Sequence, residues 1–290
     1  MIPFFNDMSV NPLLLSSLIG GLFASIACGT IGPYVVTRRI VFLSGAIAHT
    51  VVGGLGAVIF LRHWLDPALN WLMPLHGAVV AALLASVLIG VVQQYARERL
   101  DTLIGALWAI GMASGLMLIK FTPGYHVELF SYLFGNIAVV SWDDVILIAG
   151  LNVIILLTVS LYHKRIMAMC LDEEYARLQG LSVVRTNLVV LALVALTTVA
   201  LIRVVGLILV IALLSLPAAT AAHFTNRMPR MMVVSTLLCI VLTSVPRMAL
   251  YGTRISPESA IVLCAGCVYL LALMIHRFRG RRGKGRKVAA

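Results

Sequence analysis

The sequence predicts an all-helical protein that crosses a membrane eight or nine times. Hydrophobic residues make up 61% of the 290 residues and charged residues 11%, whereas soluble domains contain about 25% charged residues. Apolar runs of about 20 residues recur along the chain, and each can cross roughly 30 Å of hydrocarbon. The runs lack the alternation of a membrane β-barrel, so helices must satisfy the backbone hydrogen bonds in lipid.

Nine apolar segments can be distinguished. We interpret residues 1–276 as one transmembrane domain and residues 277–290 as a basic cytosolic tail. Apolar residues near 129–140 are too few for a span, and a short interfacial helix is one interpretation of that stretch. No Lys or Arg precedes Arg38, which argues against a cleavable signal peptide. The nine segments are 13–36, 40–61, 76–95, 102–120, 145–162, 186–202, 204–222, 231–250 and 258–276.

The basic residues predict the orientation of the chain. If the loops alternate from an outside N-terminus, 17 of the 22 Lys and Arg residues fall on the same side as the C-terminus. Cytosolic loops carry the excess of basic residues, so we expect the N-terminus outside and the C-terminus in the cytosol. The net charge of +11 is concentrated on that side, where the tail can lie on anionic lipid head groups. We expect no binding of nucleic acid.

The five cysteines lie within or beside apolar runs, which favours a packing role. Cys264 and Cys267 form a C-x-x-C pair, but this pair lies inside a predicted membrane helix and has no second ligand pair. A metal or redox site is therefore the less favoured interpretation. The cysteines are Cys28, Cys170, Cys239, Cys264 and Cys267.

The stretch from Arg203 to Ala222 departs from a plain apolar helix. Arg203 and Gly206 interrupt a run that otherwise extends from Leu188 to Ala222. Pro217 removes a backbone donor and is expected to bend the helix near its cytosolic end. Broken backbone at membrane depth is tolerated where it lines a cavity or is buried in protein. Gly206 and Pro217 are thus candidates for the backbone of a transport pathway, and a kinked packing helix is the alternative.

Four stretches in this order resemble the family of permeases that serve zinc, manganese and iron ABC importers. They are RRIVFLSGAIAHTVVGG (Arg38–Gly54), YLFGNI (Tyr132–Ile137), LDEEYARLQGL (Leu171–Leu181) and VVGLILVIALLSLPAATA (204–221). The resemblance implies a fold similar to the permeases for vitamin B12 and iron siderophores. It also implies a homodimer in the bacterial inner membrane, two cytosolic ATPase subunits and an external metal-binding protein. The chain has no G-x-x-x-x-G-K-[ST] loop, so another chain is expected to hydrolyse ATP.

The resemblance also implies a transported divalent metal, zinc or manganese, and no permanently bound cofactor. The family often has Asp four residues before a His at the start of the second span. This sequence has Gly45 at the Asp position and His49 at the His position. An ionisable residue inside a membrane is a functional candidate, so His49 is expected to line the metal pathway at the dimer axis. The alternative is a histidine that is only satisfied within the protein interior.

Two cytosolic segments are expected to contact the ATPase subunits. The resemblance assigns the main contact to the loop after Pro217, and the stretch around Asp172, with Gly180 as a helix stop, is the second candidate. The alternative for both is a solvated loop. The residues concerned are Thr220, His223, Asn226, Arg227 and Arg230 in the first segment and Asp172, Glu173 and Glu174 in the second.

His126 and Glu128 lie shortly before YLFGNI, on the predicted outer side. They are candidates for the place where metal enters, and polar residues at a membrane edge are the alternative.

These features favour the permease of an ATP-driven metal importer over three other functions. The missing Asp leaves open a permease of the same fold for an iron chelate or another cargo. A stand-alone secondary carrier would need acidic residues within its spans, and the predicted spans contain almost none. A membrane enzyme would need clustered His, Asp or Glu at one membrane face, and the seven histidines are scattered.

Overall fold

The computed structural model describes residues 7, 11–64, 71–95, 100–123, 135, 140–253 and 256–288. Within these ranges the regular secondary structure is helical. Nine stretches of the described chain are long and apolar enough to span a membrane, which confirms the predicted fold class. The helices are α1 Pro12–Thr37, α2 Val41–Trp64, α3 Pro74–Tyr95, α4 Leu100–Lys120, α5 Trp142–Leu171, α6 Glu173–Leu178, α7 Val183–Ala222, α8 Met228–Ala249 and α9 Pro257–Val288.

Most predicted spans match their helices to within a few residues, and the larger differences fall at C-terminal ends. The span predicted to end at residue 162 continues in α5 to Leu171. The span predicted to end at 276 continues in α9 to Val288. In both cases charged residues follow the apolar run, and hydropathy marks the edge of the hydrocarbon rather than the end of the helix.

Helix α1 lies at the centre of the bundle and packs against α5, α7 and α8, whereas α2 packs against α3, α4 and α7. The two ends of the bundle are named here after residues of α1 and its following turn. The Pro12 end contains the start of α1, and the Arg38 end contains the turn between α1 and α2. Helices α1 to α5 then run alternately between these ends.

Helix α7 reverses direction at Gly206, so that it contributes two spans. Asn187, near its start, accepts a hydrogen bond from Arg38 at 3.2 Å. Val204 contacts Gly20 in the Pro12 half of α1, and Leu214 lies against Gly32 near the Arg38 end. The chain therefore rises to the Pro12 half and returns.

The reversal requires glycine at position 206. Gly206 has φ 75° and ψ 167°, a conformation essentially restricted to glycine. Gly135 packs against the backbone of Val205 and Gly206, where an added Cβ would be 2.5 Å from the Val205 carbonyl carbon. The break that the sequence predicted at Gly206 is confirmed, and two glycines from distant segments meet there.

Pro217 leaves a carbonyl without its usual helical donor, and two cysteines occupy that place. Proline has no N–H to donate to the carbonyl four residues earlier, which is that of Leu213. The Cys28 thiol donates to Leu213 O at 2.7 Å, and the Cys239 thiol lies at 3.7 Å from the same oxygen. Both cysteines are buried. They pack in the core, as the sequence predicted, and their S–H groups are weak donors to the carbonyl oxygen that Pro217 leaves without a backbone partner.

The glycines that follow His49 allow close approach of neighbouring helices. A Cβ added to Gly54 would lie 2.2 Å from the Gly77 carbonyl oxygen of α3. A Cβ added to Gly56 would lie 2.5 Å from the Gly115 carbonyl oxygen of α4. Small residues at helix crossings permit such contact in membranes. Helices α3 and α4 therefore pack at backbone contact distance against α2, the span that carries His49.

Candidate metal pathway

His49 lies on α2 inside the bundle, and 7% of its surface is exposed. Its Nδ1 lies 2.8 Å from the Gly45 carbonyl oxygen, one helical turn earlier. A carbonyl oxygen only accepts, so Nδ1 donates this hydrogen bond. In the neutral ring the lone pair is then on Nε2. A histidine whose Nδ1 is fixed in this way presents Nε2 as a metal ligand.

The indole of Trp108 on α4 stacks on the His49 imidazole. The ring centroids are 4.1 Å apart and the planes are inclined by 28°. Gly45 makes room for this arrangement, because a Cβ there would lie 3.2 Å from Trp108 Cζ3 and 3.1 Å from Ile211 Cδ1. Trp108 is 36% exposed, so it separates the imidazole from the open face of α4.

The backbone around this stack is held by close contacts between α2 and α4. The Thr50 hydroxyl donates to Ala46 O at 2.9 Å and to Leu107 O of α4 at 3.4 Å. A Cβ added to Gly111 would lie 2.6 Å from the Thr50 Cα. The helices cannot separate without losing these contacts, so exposure of His49 depends on rotation of the Trp108 side chain.

Replacing Trp108 with alanine is expected to make His49 chemically accessible. An aromatic stack is worth about 0.5–1.5 kcal/mol, and its loss should raise the rate of His49 carbethoxylation by roughly tenfold, the factor that 1.4 kcal/mol represents. Trp108→Phe should change the rate little because a ring still covers the imidazole. Mass spectrometry of the purified protein measures the modification, with His76 as an internal standard. Equal His49 rates in the wild type and Trp108→Ala would show that the indole does not cover this ring.

A polar network links four elements at the Arg38 end. The Arg38 guanidinium donates to Asn187 on α7 at 3.2 Å and lies 3.5 Å from Glu173 on α6. The Asn187 amide donates in turn to Gln93 on α3 at 2.8 Å. Arg38 also reaches the Met169 carbonyl oxygen of α5 at 3.4 Å. Movement of α6 is thereby connected to the transmembrane helices through one side chain.

The short helix α6 begins as the sequence predicted, with one refinement. Asp172 is its N-cap, and the carboxylate accepts from the backbone N–H groups of Glu174 and Tyr175 at 2.9 and 3.0 Å. Glu173 and Glu174 occupy the first turn. Gly180 has φ 77° and follows the last turn, as expected for a helix stop. These three acidic residues are therefore presented together at the Arg38 end.

The loop after Pro217 forms a turn between α7 and α8 at the same end. His223 caps α7, Thr220 is buried one turn earlier, and Arg227 is the N-cap position of α8. Asn226, Arg227 and Arg230 are exposed and line an open cleft of about 690 Å³ with Phe224 and Pro229. The exposed residues of the predicted contact segment therefore share one concave surface.

The structure brings together some predicted site residues and not others. His49 lies in the Arg38 half of α2, about two helical turns after Val41, whereas the turn after α7 lies at the end of the bundle. His126 and Glu128 lie outside the described residues. Among the residues that are described, no group of three or more His, Cys, Asp or Glu side chains could hold a metal ion. His49 therefore offers one imidazole per chain rather than a complete coordination sphere.

The sequence of this chain matches a known protein family. The model of the ABC 3 transport family matches residues 11–276. The chain belongs to the ABC 3 transport family. A "Probable metal transport system membrane protein" of Chlamydia trachomatis is 37% identical to this chain over 266 residues, which cover 92% of this chain and 90% of that protein. A manganese transport system membrane protein, MntC, of Halalkalibacterium halodurans is 28% identical and covers 97% of this chain and 96% of its own length.

The fold of this chain is also seen in solved structures. PsaBC from Streptococcus pneumoniae, solved in complex with Fab, superposes with a TM-score of 0.82 and 28% identity over 94% of this chain and 95% of that one. "An inward-facing conformation of a putative metal-chelate type ABC transporter" superposes with a TM-score of 0.66 and 16% identity, over 90% of this chain and 85% of that one. The second likeness concerns the fold alone.

Sequence reasoning about this ABC 3 protein missed the residues that act through contacts between helices. In the sequence, Trp108 is an ordinary apolar residue of a predicted span. Asn187 and Gln93 are polar residues near the ends of spans. Only their long-range partners, His49 and Arg38, reveal their role. The Arg38–Arg39 pair was a usable signal for the network, since it stands at a turn between two spans.

Proposed function

We propose that this chain is the permease subunit of an ATP-driven importer for a divalent transition metal, zinc or manganese. The observation that carries the proposal is His49, whose Nε2 is left free for an ion inside a tightly packed membrane bundle. Membership of the ABC 3 family and relatives named for manganese or metal transport support it. ATP hydrolysis belongs to a separate ATPase chain.

The ion passes between two copies of the permease. One imidazole per chain binds weakly, and a two-fold axis would supply a second. The face of α4 beside Trp108 supports a packing surface for the second copy, because Gly105, Ala109 and Ala113 recur at four-residue spacing and are exposed. A weak two-histidine stop suits transport, since an ion held too tightly would not leave.

The donor atoms around His49 favour zinc over manganese. Imidazole suits Zn²⁺, whereas Mn²⁺ prefers carboxylate and carbonyl oxygens. The position that precedes His49 by one turn is Gly45, and the space beside it is taken by Trp108 and Ile211. The relatives named for manganese transport therefore support a divalent transition metal as the cargo. The imidazole donor of this chain supports a preference for Zn²⁺ over Mn²⁺.

Alternating access is driven from the Arg38 end, which we assign to the cytosol. The ATPase subunits bind the cleft lined by Asn226, Arg227 and Arg230, with Thr220 and His223 behind it, and α6 with Asp172, Glu173 and Glu174. The Arg38 network supports transmission from α6 to α3 and α7. Gly206 and Pro217 shape the backbone of the helix that connects both halves of the path.

The Pro12 end faces outside the bacterial inner membrane in this proposal. An external metal-binding protein delivers the ion there, near His126 and Glu128. The excess of basic residues on the opposite side supports this orientation. Residues 277–290 then extend from the cytosolic end.

Uptake of radiolabelled Zn²⁺ and Mn²⁺ into proteoliposomes tests the proposal, with the permease reconstituted together with its ATPase and binding protein. We expect uptake that requires ATP and is faster for Zn²⁺ than for Mn²⁺. Hydrolysis of ATP without uptake of either ion would overturn the metal assignment in favour of a chelate. Uptake of ion by the permease alone would instead indicate a secondary carrier.

A further inference from the structure

Two histidines from different elements, neither of them on α2, meet at the Arg38 end. The His223 ring, at the end of α7, lies 5.1 Å from the His276 ring on α9, measured between centroids, with the planes inclined by 38°. The Tyr269 ring lies two turns before His276 and 6.0 Å from His223. His276 is exposed and His223 is half-buried, so water and ions can reach the pair.

The separation of the two rings matches joint coordination of one ion. Zinc binds imidazole nitrogen at about 2.0–2.1 Å, which places the metal about 3.2 Å from the ring centre. Two such rings at a tetrahedral angle have centres about 5 Å apart. The observed 5.1 Å therefore agrees with the spacing of two rings that bind one ion together.

We propose that His223 and His276 form a second metal site, which takes Zn²⁺ or a similar imidazole-binding divalent ion. Two imidazoles provide half of a tetrahedral coordination sphere, and water completes it. Such a site is open and exchangeable rather than structural, because structural zinc sites have four protein ligands. The class of ion follows from nitrogen donors, which favour zinc, nickel and copper over manganese or magnesium.

The position of the site gives it a regulatory consequence, and this part rests on the proposed function. His223 opens the turn that carries Asn226 and Arg227, the proposed contact with the ATPase. His276 belongs to α9, which packs against α7 and α8. An ion bound by both histidines ties the turn to α9. Accumulated cytosolic metal thus slows the transport cycle that delivers it.

Zinc binding to the intact permease–ATPase complex tests the site, in a His49→Ala background that removes the proposed pathway ligand. Equilibrium binding of radiolabelled Zn²⁺ should give one site per permease chain, and His276→Gln should weaken it by at least about tenfold, since loss of even an outer-shell group costs 10–100-fold. Tyr269→His, which offers a third imidazole beside His223, should tighten binding. His76→Gln, at the Pro12 end, is the matched control and should leave binding unchanged.

The regulatory consequence is measured as inhibition of ATP hydrolysis by Zn²⁺ in nanodiscs with the His49-containing complex. His276→Gln should shift the midpoint of inhibition to a Zn²⁺ concentration about tenfold higher, matching the change in affinity. Equal Zn²⁺ affinity in the His276→Gln variant and its parent would overturn the site. Reduced binding with an unchanged midpoint would overturn the regulatory role. Failure of the wild type to import any ion would contradict the proposed function while leaving the binding result valid.

Discussion

His49→Ala is expected to abolish ATP-driven metal uptake while the protein remains folded. The substitution removes the imidazole that stacks on Trp108 between α2 and α4 and whose Nδ1 is held by Gly45. Loss of outer-shell groups already reduces metal binding by 10–100-fold, so removal of the ligand should lower the initial uptake rate by about 100-fold or more. ATP hydrolysis should persist because the cleft at the Arg38 end is untouched.

The measurement compares initial rates of Zn²⁺ uptake in proteoliposomes for the wild type, His49→Ala and His76→Ala. His76 lies near the start of α3, where its Nδ1 accepts from the Met73 backbone N–H, so its replacement controls for loss of a histidine as such. Thermal melting of each variant reports on folding. Wild-type uptake rates in a folded His49→Ala variant would show that the ion takes another path through the bundle.

Gly206→Ala is expected to lower the stability of the protein markedly, although it adds only one methyl group. A residue with Cβ held at φ 75° and ψ 167° costs about 1–3 kcal/mol, a large part of a total stability of roughly 5–15 kcal/mol. The change should lower the melting temperature by roughly 2–12 °C. Uptake should fall too, because the two spans of α7 would no longer reverse at the same point.

Gly150→Ala is the matched control for this experiment. Gly150 is helical within α5, and an added Cβ would meet no atom within 4 Å. Alanine is favoured over glycine in a helix by about 1 kcal/mol, so this variant should melt at the same temperature as the wild type or slightly higher. A Gly206→Ala protein with the same melting temperature and expression as Gly150→Ala would contradict the special conformation assigned to Gly206.

The sequence predicted the break in α7 but not the residue that packs against it. Arg203 and Gly206 marked an interruption, and the alternation of basic loops required a reversal there. The sequence did not show that Gly135, some 70 positions earlier, fills the space beside it. Glycine at 135 could have indicated only a turn. Its contact with Val205 joins residues 70 positions apart, and no local pattern encodes that contact.

At Pro217, too, the sequence predicted one part of the arrangement and only the structure showed the other. The missing N–H follows from proline alone. The identity of the donors that replace it does not, since Cys28 and Cys239 belong to α1 and α8. Their sequence context indicated only small, buried residues. Their side chains reach Leu213 because three helices cross at one level.

The sequence by itself determined the number of spans, their approximate limits and the family, because hydropathy and span length depend on residues that are neighbours in the chain. It also indicated His49 and the exposed turn after Pro217. Only the tertiary structure decided that Trp108 covers His49, that Arg38 joins α6 to α7, and that His223 lies beside His276. These contacts join residues 50 to 150 positions apart, and their distances depend on helix crossing angles and rotations set by packing of the whole bundle.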